Sequence, residues 1–392
     1  MKIGIFTDCY YPQINGVVTS VVNLETCLRK LGHEVYIITV AVPDFQDKDT
    51  RYVIRIPSIP FLKGAELRIG LFFKHTTLYK AVKDIRFDIV HTQTELTMGW
   101  LGKFIAKDLR IPAVHTYHTI YEEYTHYISN IGKAPLKKIC RKLSKKYINF
   151  CSAVIVPTKK TKDLLLSYRV TNAIYIVPTG IDLQKFRAAI DQKEFKNVKT
   201  AFRLSETSFK LLFLGRISKE KNIDMLIHAL PALFEKYENV DLIIVGDGPH
   251  KDALETLVHT LHIADRVVFT NRVSNDQVPL YYKLADLFIS PSASETQGLT
   301  IVEAMAAGIP ILAYNDGNIE GIIFDKHTGL LFKTKEELLG QLIFALEHRE
   351  ALRTYSSECL KLVEQFSSQA FAKKIERIYM ELVAASSSKR AL

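Results

Sequence analysis

Two glutamates with a glycine between them are the first residues whose spacing suggests chemistry. In "SETQGLTIVEAMAAGIP" (294–310), seven residues separate Glu295 from Glu303, and Gly298 lies between them. Small apolar residues follow, so the segment reads as a loop that turns into a packed helix. Gly298 lets the backbone approach a ligand closely. The amides of Leu299 and Thr300 then open a helix N-terminus, which favours an anion. A carboxylate accepts two hydrogen bonds from a vicinal diol such as a ribose. The segment therefore offers a carboxylate for a sugar, amides for a phosphate and a carboxylate for a ribose. The alternative for Glu303 is an acid that complements the helix dipole.

A second constellation is "GRISKEKN" (215–222), with Arg216 and, five residues on, Lys221. A planar fork and a point charge can hold a diphosphate without a metal. The alternative is a solvated surface pair beside Glu220. A third is "VHTYHTIYEEYTHYI" (114–128), which carries His115, His118 and His126. His118 falls just past an expected strand end, where a side chain faces ligand; His115 and His126 read as structural. No HxH or HExxH spacing occurs there, which speaks against zinc. Near the N-terminus, Asn15-Gly16 in "TDCYYPQINGVV" resembles a phosphate-approach loop. It is not GxGxxG, which speaks against a dinucleotide enzyme.

These residues need strand ends to position them. "KIGIF" (2–6), "EVYIITV" (34–40), "DIVHT" (88–92), "IPAVHTY" (111–117), "AVIVP" (153–157) and "IYIVP" (174–178) read as buried strands. Helical patterns lie between most of them; Val17, Val21, Leu24, Leu28 and Leu31 share one face of the first, and Gly32 ends it. After "PTGID" (178–182) the periodicity breaks, and residues 183–207 read as a linker with a short helix. A second series follows: "KLLFLG" (210–215), "DLIIVG" (241–246), "RVVFT" (266–270), "LFIS" (287–290) and "PILAY" (310–314). Short β-branched runs joined by helices predict parallel sheets covered on both faces. The expectation is an α/β chain with two Rossmann-like doubly wound domains. Residues 1–182 form the first, 183–365 the second, and 366–392 a closing helix. In such sheets ligands bind beyond the carboxyl ends of the strands. Val273, after the strand at 266–270, is placed to touch a base.

Composition sets outer limits. The chain has 392 residues, 47% hydrophobic and 24% charged, enough for two cores. Its five cysteines, Cys9, Cys27, Cys140, Cys151 and Cys359, form no CxxC pair, which fits a reducing compartment. No apolar run approaches the roughly 18 residues of a membrane span. Residues 1–185 hold 27 Lys+Arg against 15 Asp+Glu, a net of +12, while the rest carries −2. The first half therefore expects an anionic partner. "GKAPLKKICRKLSKKYINF" (132–150) concentrates that charge. Leu136, Ile139, Cys140, Leu143 and Tyr147 are expected on one helical face, with Lys137, Lys138, Arg141, Lys142, Lys145 and Lys146 over the remainder. That pattern suits anionic headgroups. No nucleic-acid-binding motif accompanies it.

At these motifs the sequence resembles the retaining glycosyltransferases of family 4, whose GT-B fold sets two Rossmann-like domains facing each other across a cleft. The E-x7-E element (Glu295, Glu303), "GR…K" (Gly215, Arg216, Lys221), the Gly16 loop and "VPTGID" occur in the family's order. "GIFTDCYYPQINGVVTSV", "HTQTELTMGWLGKFIAK" and "IPAVHTYHTIYEEYTHYI" are similar to bacterial diacylglycerol glucosyltransferases. The resemblance implies a UDP-glucose donor, diacylglycerol as acceptor, no metal or other cofactor, and a cytoplasmic enzyme on the inner membrane face. It implies that Arg216 and Lys221 hold the diphosphate and that Glu303 holds the ribose. Glu295 and the Gly298 amides, in a donor segment with Gln297, Leu299 and Thr300, would hold the sugar and β-phosphate. His118 would sit beside the reacting sugar. It further implies front-face attack, with the leaving diphosphate taking the acceptor's proton. Segment 59–80, "IPFLKGAELRIGLFFKHTTLYK", would be the lipid entrance. The motifs also suit a GDP-mannose-dependent mannosyltransferase acting on a phosphoinositide or a soluble glycan. An epimerase on the same architecture would not need the basic helix.

Overall fold

A computed structural model describes the chain apart from Ile14, residues 48–49, 62–66 and 119–132, Arg203, residues 294–296, Asp316, Asn318, Leu392 and the side chains of 133–137 and 389–391. Glu295, His126 and the side chains of Leu136 and Lys137 thus lie outside the described residues. The chain forms two compact units: Met1–Ile181 with Ser368–Leu392, and Asp182–Ser367.

The first unit holds β1 (Lys2–Phe6), β2 (Glu34–Val40), β3 (Val53–Ile56), β4 (Ser58–Pro60), β5 (Arg68–Gly70), β6 (Ile89–Thr92), β7 (Ala113–Thr116), β8 (Ala153–Val156) and β9 (Ala173–Ile176). Among the described residues seven of these make one sheet, in the order β3-β2-β1-β6-β7-β8-β9, with its neighbours parallel. β1, β6, β7 and β8 are almost wholly buried, as strands covered on both faces must be. The helix Gly16–Lys30 packs Val21, Leu24 and Leu28 on one face, against Phe371, Ile375 and Tyr379 of the C-terminal helix Ser368–Ala391. The other face carries the helix Thr97–Leu109 through Met98, Leu101 and Ile105. β4 and β5 form an antiparallel ribbon of their own.

The second unit contains β10 (Phe209–Leu214), β11 (Val240–Val245), β12 (Val267–Phe269), β13 (Leu287–Ser290), β14 (Ile311–Tyr314) and β15 (Leu330–Phe332). They pair in parallel in the order β12-β11-β10-β13-β14-β15, the 3-2-1-4-5-6 order of a Rossmann sheet. Residues 183–207 differ from the expected linker with one short helix. Two helices form, Leu183–Arg187 and Gln192–Ala201, because Asp182 and Asp191 each cap a start by accepting from the amides of Gln184 and Lys193.

Candidate active site

In the second unit the strand order reverses between β10 and β13. The loops after those two strands are where a ligand is expected in a doubly wound sheet. Arg216 follows β10 and is exposed; Lys221 ends a 3-10 turn at Lys219–Lys221 and is half-buried. The loop is set rigidly. Gly215 N–H donates to Val245 O at 3.0 Å and Ile217 N–H to Asp247 O at 2.9 Å. A Cβ on Gly246 would fall 1.9 Å from Gly215 O, so only glycine lets the loops after β10 and β11 lie this close.

Across the reversal, Gly298 has φ +74° and caps the helix Leu299–Ala307 with no side-chain hydrogen bond. Gln297 and Gly298 are buried, while Leu299 and Thr300 are half-exposed at the opening turn. Glu303 lies in the second turn, its Oε2 receiving the Tyr282 hydroxyl at 2.9 Å. That hydroxyl also lies 3.0 Å from Thr300 O. With one proton it can serve only one acceptor at a time. Burial pushes Glu303 up to about 7; the Tyr282 bond and the more distant Lys185 act against it. Val273 is half-buried in the loop after β12. Tyr282 and Lys185 escaped sequence reading because each acts on Glu303 from a helix distant in sequence.

In the first unit, three histidines gather at the carboxyl ends of β6 and β7. His91 is wholly buried, with Nδ1 2.5 Å from Tyr379 Oη and Nε2 2.7 Å from Thr116 Oγ1. His115 is equally buried; Nδ1 lies 2.9 Å from Thr92 Oγ1, and Nε2 is 3.3 Å from Glu95 Oε1. His118 is partly exposed, with Nε2 2.7 Å from Gln93 Oε1. Desolvation, then the neighbouring His115, pulls His118 down to about 3, so its ring is neutral. Gly16 opens its helix beyond β1, where Asn15 caps by accepting from Val18 N–H at 3.0 Å. Among the described residues, no three His, Cys, Asp or Glu side chains are grouped to hold a metal.

Residues 14–185 match the model of Glycosyltransferase Family 4, and residues 194–361 match that of Glycosyl transferases group 1. The alpha-monoglucosyldiacylglycerol synthase of Streptococcus pneumoniae is 37% identical over 385 residues, covering 98% of this chain and 86% of that one. The chain belongs to the family 4 glycosyltransferases. The synthase of the same name from Acholeplasma laidlawii is 36% identical over 390 residues, covering 98% of both. Anabaena Alr3699/HepE, solved in complex with UDP-glucose, superposes with a TM-score of 0.76 at 18% identity, over 97% of this chain and 100% of that one. The fold of this glycosyltransferase is GT-B, and the enzyme is a hexosyltransferase.

The basic helix of the glycosyltransferase spans Lys133–Ile148. Its apolar residues do not share one face as expected. Ser144, Tyr147 and Ile148 point inward, whereas Ile139 and Leu143 are 53% and 60% exposed. The reason is local. Lys103, itself buried, donates to Tyr147 O at 2.9 Å and lies 4.2, 3.9 and 4.4 Å from the Trp100, Tyr147 and Phe150 ring centroids. This anchor turns the helix so that Ile139 and Leu143 stand among exposed Lys138, Arg141, Lys142 and Lys146, with Lys145 half-buried. Four more large apolar side chains, Ile59, Phe61, Leu71 and Phe73, are exposed around the β4–β5 ribbon. Leu71, Phe72, Phe73 and Leu78 line a cavity of about 210 Å³ there. No described helix is long and apolar enough to cross a membrane.

Proposed function

We propose that this enzyme moves glucose from UDP-glucose to diacylglycerol with retention, forming α-monoglucosyldiacylglycerol on the inner face of the cell membrane. The observation that carries this reading is 37% and 36% identity, over 98% of the chain, to two enzymes of that name. The exposed apolar and basic residues of the first unit support a lipid substrate. Arg216, Lys221 and the amides at Leu299 and Thr300 hold the diphosphate, Glu303 the ribose and Val273 the base. Glu295, Gln297 and Gly298 complete the donor segment, Gly16 approaches a phosphate, and His118 stands beside the sugar.

In the reaction the acceptor hydroxyl oxygen forms a bond to the anomeric carbon. The bond from that carbon to the β-phosphate oxygen breaks, and the acceptor's proton passes to the departing oxygen. The cations and helix amides stabilise the charge gathering on the diphosphate, which makes a metal unnecessary. The test is product formation: labelled UDP-glucose, vesicles of diacylglycerol and phosphatidylglycerol, and a chelator. A labelled glucolipid is the expected result. Uridine diphosphate release only with a different acceptor would overturn the lipid assignment, and activity only after added metal would overturn metal independence.

A further inference from the structure

Gln93 is the first residue after β6, which pairs with β1 where the order of the first sheet reverses. Its N–H donates to Phe6 O at 2.8 Å, which pins it to the adjoining strand end. Its side chain is 2% exposed. The carboxamide oxygen is used by His118, but the Nε2 amide is buried with no hydrogen-bond partner among the described residues. Leaving such a donor unmet costs stability, so a folded protein keeps one for a reason. Of the neighbouring histidines, His91 has a partner on each ring nitrogen, whereas His115 bonds Thr92 through Nδ1 and its Nε2, 3.3 Å from Glu95 Oε1, makes no hydrogen bond among the described residues. His118 has a partner on Nε2 alone among the described residues. A neutral ring has one proton. With the Gln93 carbonyl facing Nε2, that proton sits on Nε2, and Nδ1 keeps its lone pair.

The pair thus leaves a buried, unmet donor, Gln93 Nε2, and an acceptor, His118 Nδ1, with no partner among the described residues, at the point where a doubly wound sheet takes its ligand. Hydroxyl groups both accept and donate, so adjacent hydroxyls of a sugar match the two. We propose that Gln93 is a positioning and specificity residue, which fixes the His118 tautomer with its carbonyl and reads a hydroxyl of the transferred hexose with its amide. The inference rests on the proposed function in placing the sugar beside His118.

Transfer from UDP-glucose and from its 3-, 4- and 6-deoxy analogues tests it, in wild type, Gln93→Leu and the isosteric Gln93→Glu. A site built to bond a hydroxyl rejects the analogue lacking it steeply. Wild type is expected to lose on the order of a hundredfold or more in kcat/KM on one analogue. Gln93→Leu is expected to accept that analogue nearly as well as UDP-glucose, with the loss relative to wild type falling on the parent sugar, whereas Gln93→Glu, whose carboxylate can accept from the same hydroxyl, is expected to keep part of the discrimination. A wild-type pattern of discrimination in Gln93→Leu overturns the proposal. The imidazole nitrogen resonances of His118 in the wild-type enzyme provide the second measurement, independent of turnover. An Nε2–H tautomer that becomes mixed in Gln93→Leu supports the proposal, and an Nδ1–H tautomer in wild type overturns it. If wild type transfers nothing from UDP-glucose, the functional reading fails, and the resonances still decide whether Gln93 sets the tautomer.

Discussion

Glu303 stands where its charge state matters twice. Its carboxyl is held up to about 7 by burial, against an ordinary value of 4.5. Between those values the folded chain binds more protons than the unfolded one. This group's contribution to stability is therefore greatest at low pH, falls as pH rises from 4.5 through 7, and is level above. The swing is about 3 kcal/mol at most, and less where solvent reaches the carboxylate. Glu303→Gln is expected to flatten this dependence in thermal melts of the unliganded protein and to raise the melting temperature at pH 8. Ligand binding runs the other way. Only the ionised carboxylate accepts both hydrogen bonds from a ribose, so uridine diphosphate affinity in wild type should weaken as pH falls below about 7. Calorimetry showing equal affinity at pH 6 and 8 would remove Glu303 from the ribose. Arg216 makes a separate case, because it is exposed and acts on charge that grows during the reaction. Arg216→Ala is expected to cost about 2–4 kcal/mol of barrier, roughly thirty- to a thousandfold in turnover, with a much smaller change in uridine binding. Near-normal turnover would refute that role.

At the scale of elements, the start of the helix Thr97–Leu109 has no side-chain cap of its own, and Asp8 supplies one from the end of β1. Its carboxylate accepts from Thr94 Oγ1 at 2.5 Å, Thr97 Oγ1 at 2.6 Å and Met98 N–H at 3.1 Å. Asp8→Ala leaves three donors unmet, those of Thr94 and Met98 buried, and should destabilise the first unit by about 2–4 kcal/mol. Hydrogen exchange along that helix would report it, and unchanged protection would mean that water replaces the carboxylate. The basic helix gives the opposite expectation. Ile139 and Leu143 are already exposed, so replacing both with serine should alter stability by no more than about 0.5 kcal/mol. Burying each in a bilayer is worth roughly 1.5–3 kcal/mol, so the double variant should bind anionic vesicles at least tenfold more weakly. Equal cosedimentation of variant and wild type would place the contact elsewhere. These two helices also show what was readable in advance. β1, β2 and β13 could be read to the residue, because uninterrupted buried runs admit no other register. β3 was missed because Arg55, paired with Asp47 at 2.7 Å, interrupts its apolar run. β15, three residues long, was missed as well. The face of the basic helix was misread because spacing cannot foresee the Lys103 anchor, which comes from another helix. Tyr282 and Gln93 were missed for the same reason: each matters through a partner distant in sequence.

Over the whole molecule, the +12 of residues 1–185 against −2 for the remainder predicts that any binding to anionic vesicles weakens as salt is raised. The larger consequence of the chain's course is that the first unit is not finished when residue 181 is made. The backbone leaves it at Ile181 and returns at Ser368, whose N–H donates to Ile181 O at 2.8 Å, so both crossings lie side by side. The returning helix brings Phe371, Ala372, Ile375, Ile378 and Tyr379, all at most 5% exposed, into the core formed by Ile3, Val21, Leu24 and Leu28. Tyr379 is also the partner of buried His91, and Glu376 lies 2.7 Å from His33 Nε2. At roughly 1.5–3 kcal/mol for each large side chain, the segment contributes on the order of the 5–15 kcal/mol by which a whole domain is stable. A chain ending at Ser367 is therefore expected to keep the core of the second unit, which holds no residue of the missing helix, and to lose the first. Limited proteolysis of that truncation should leave a fragment close to 182–367, and uridine diphosphate should still protect it. Proteolysis that spares the first unit would mean that its sheet is stable on one covered face, and that the returning helix is a tether and not part of the core.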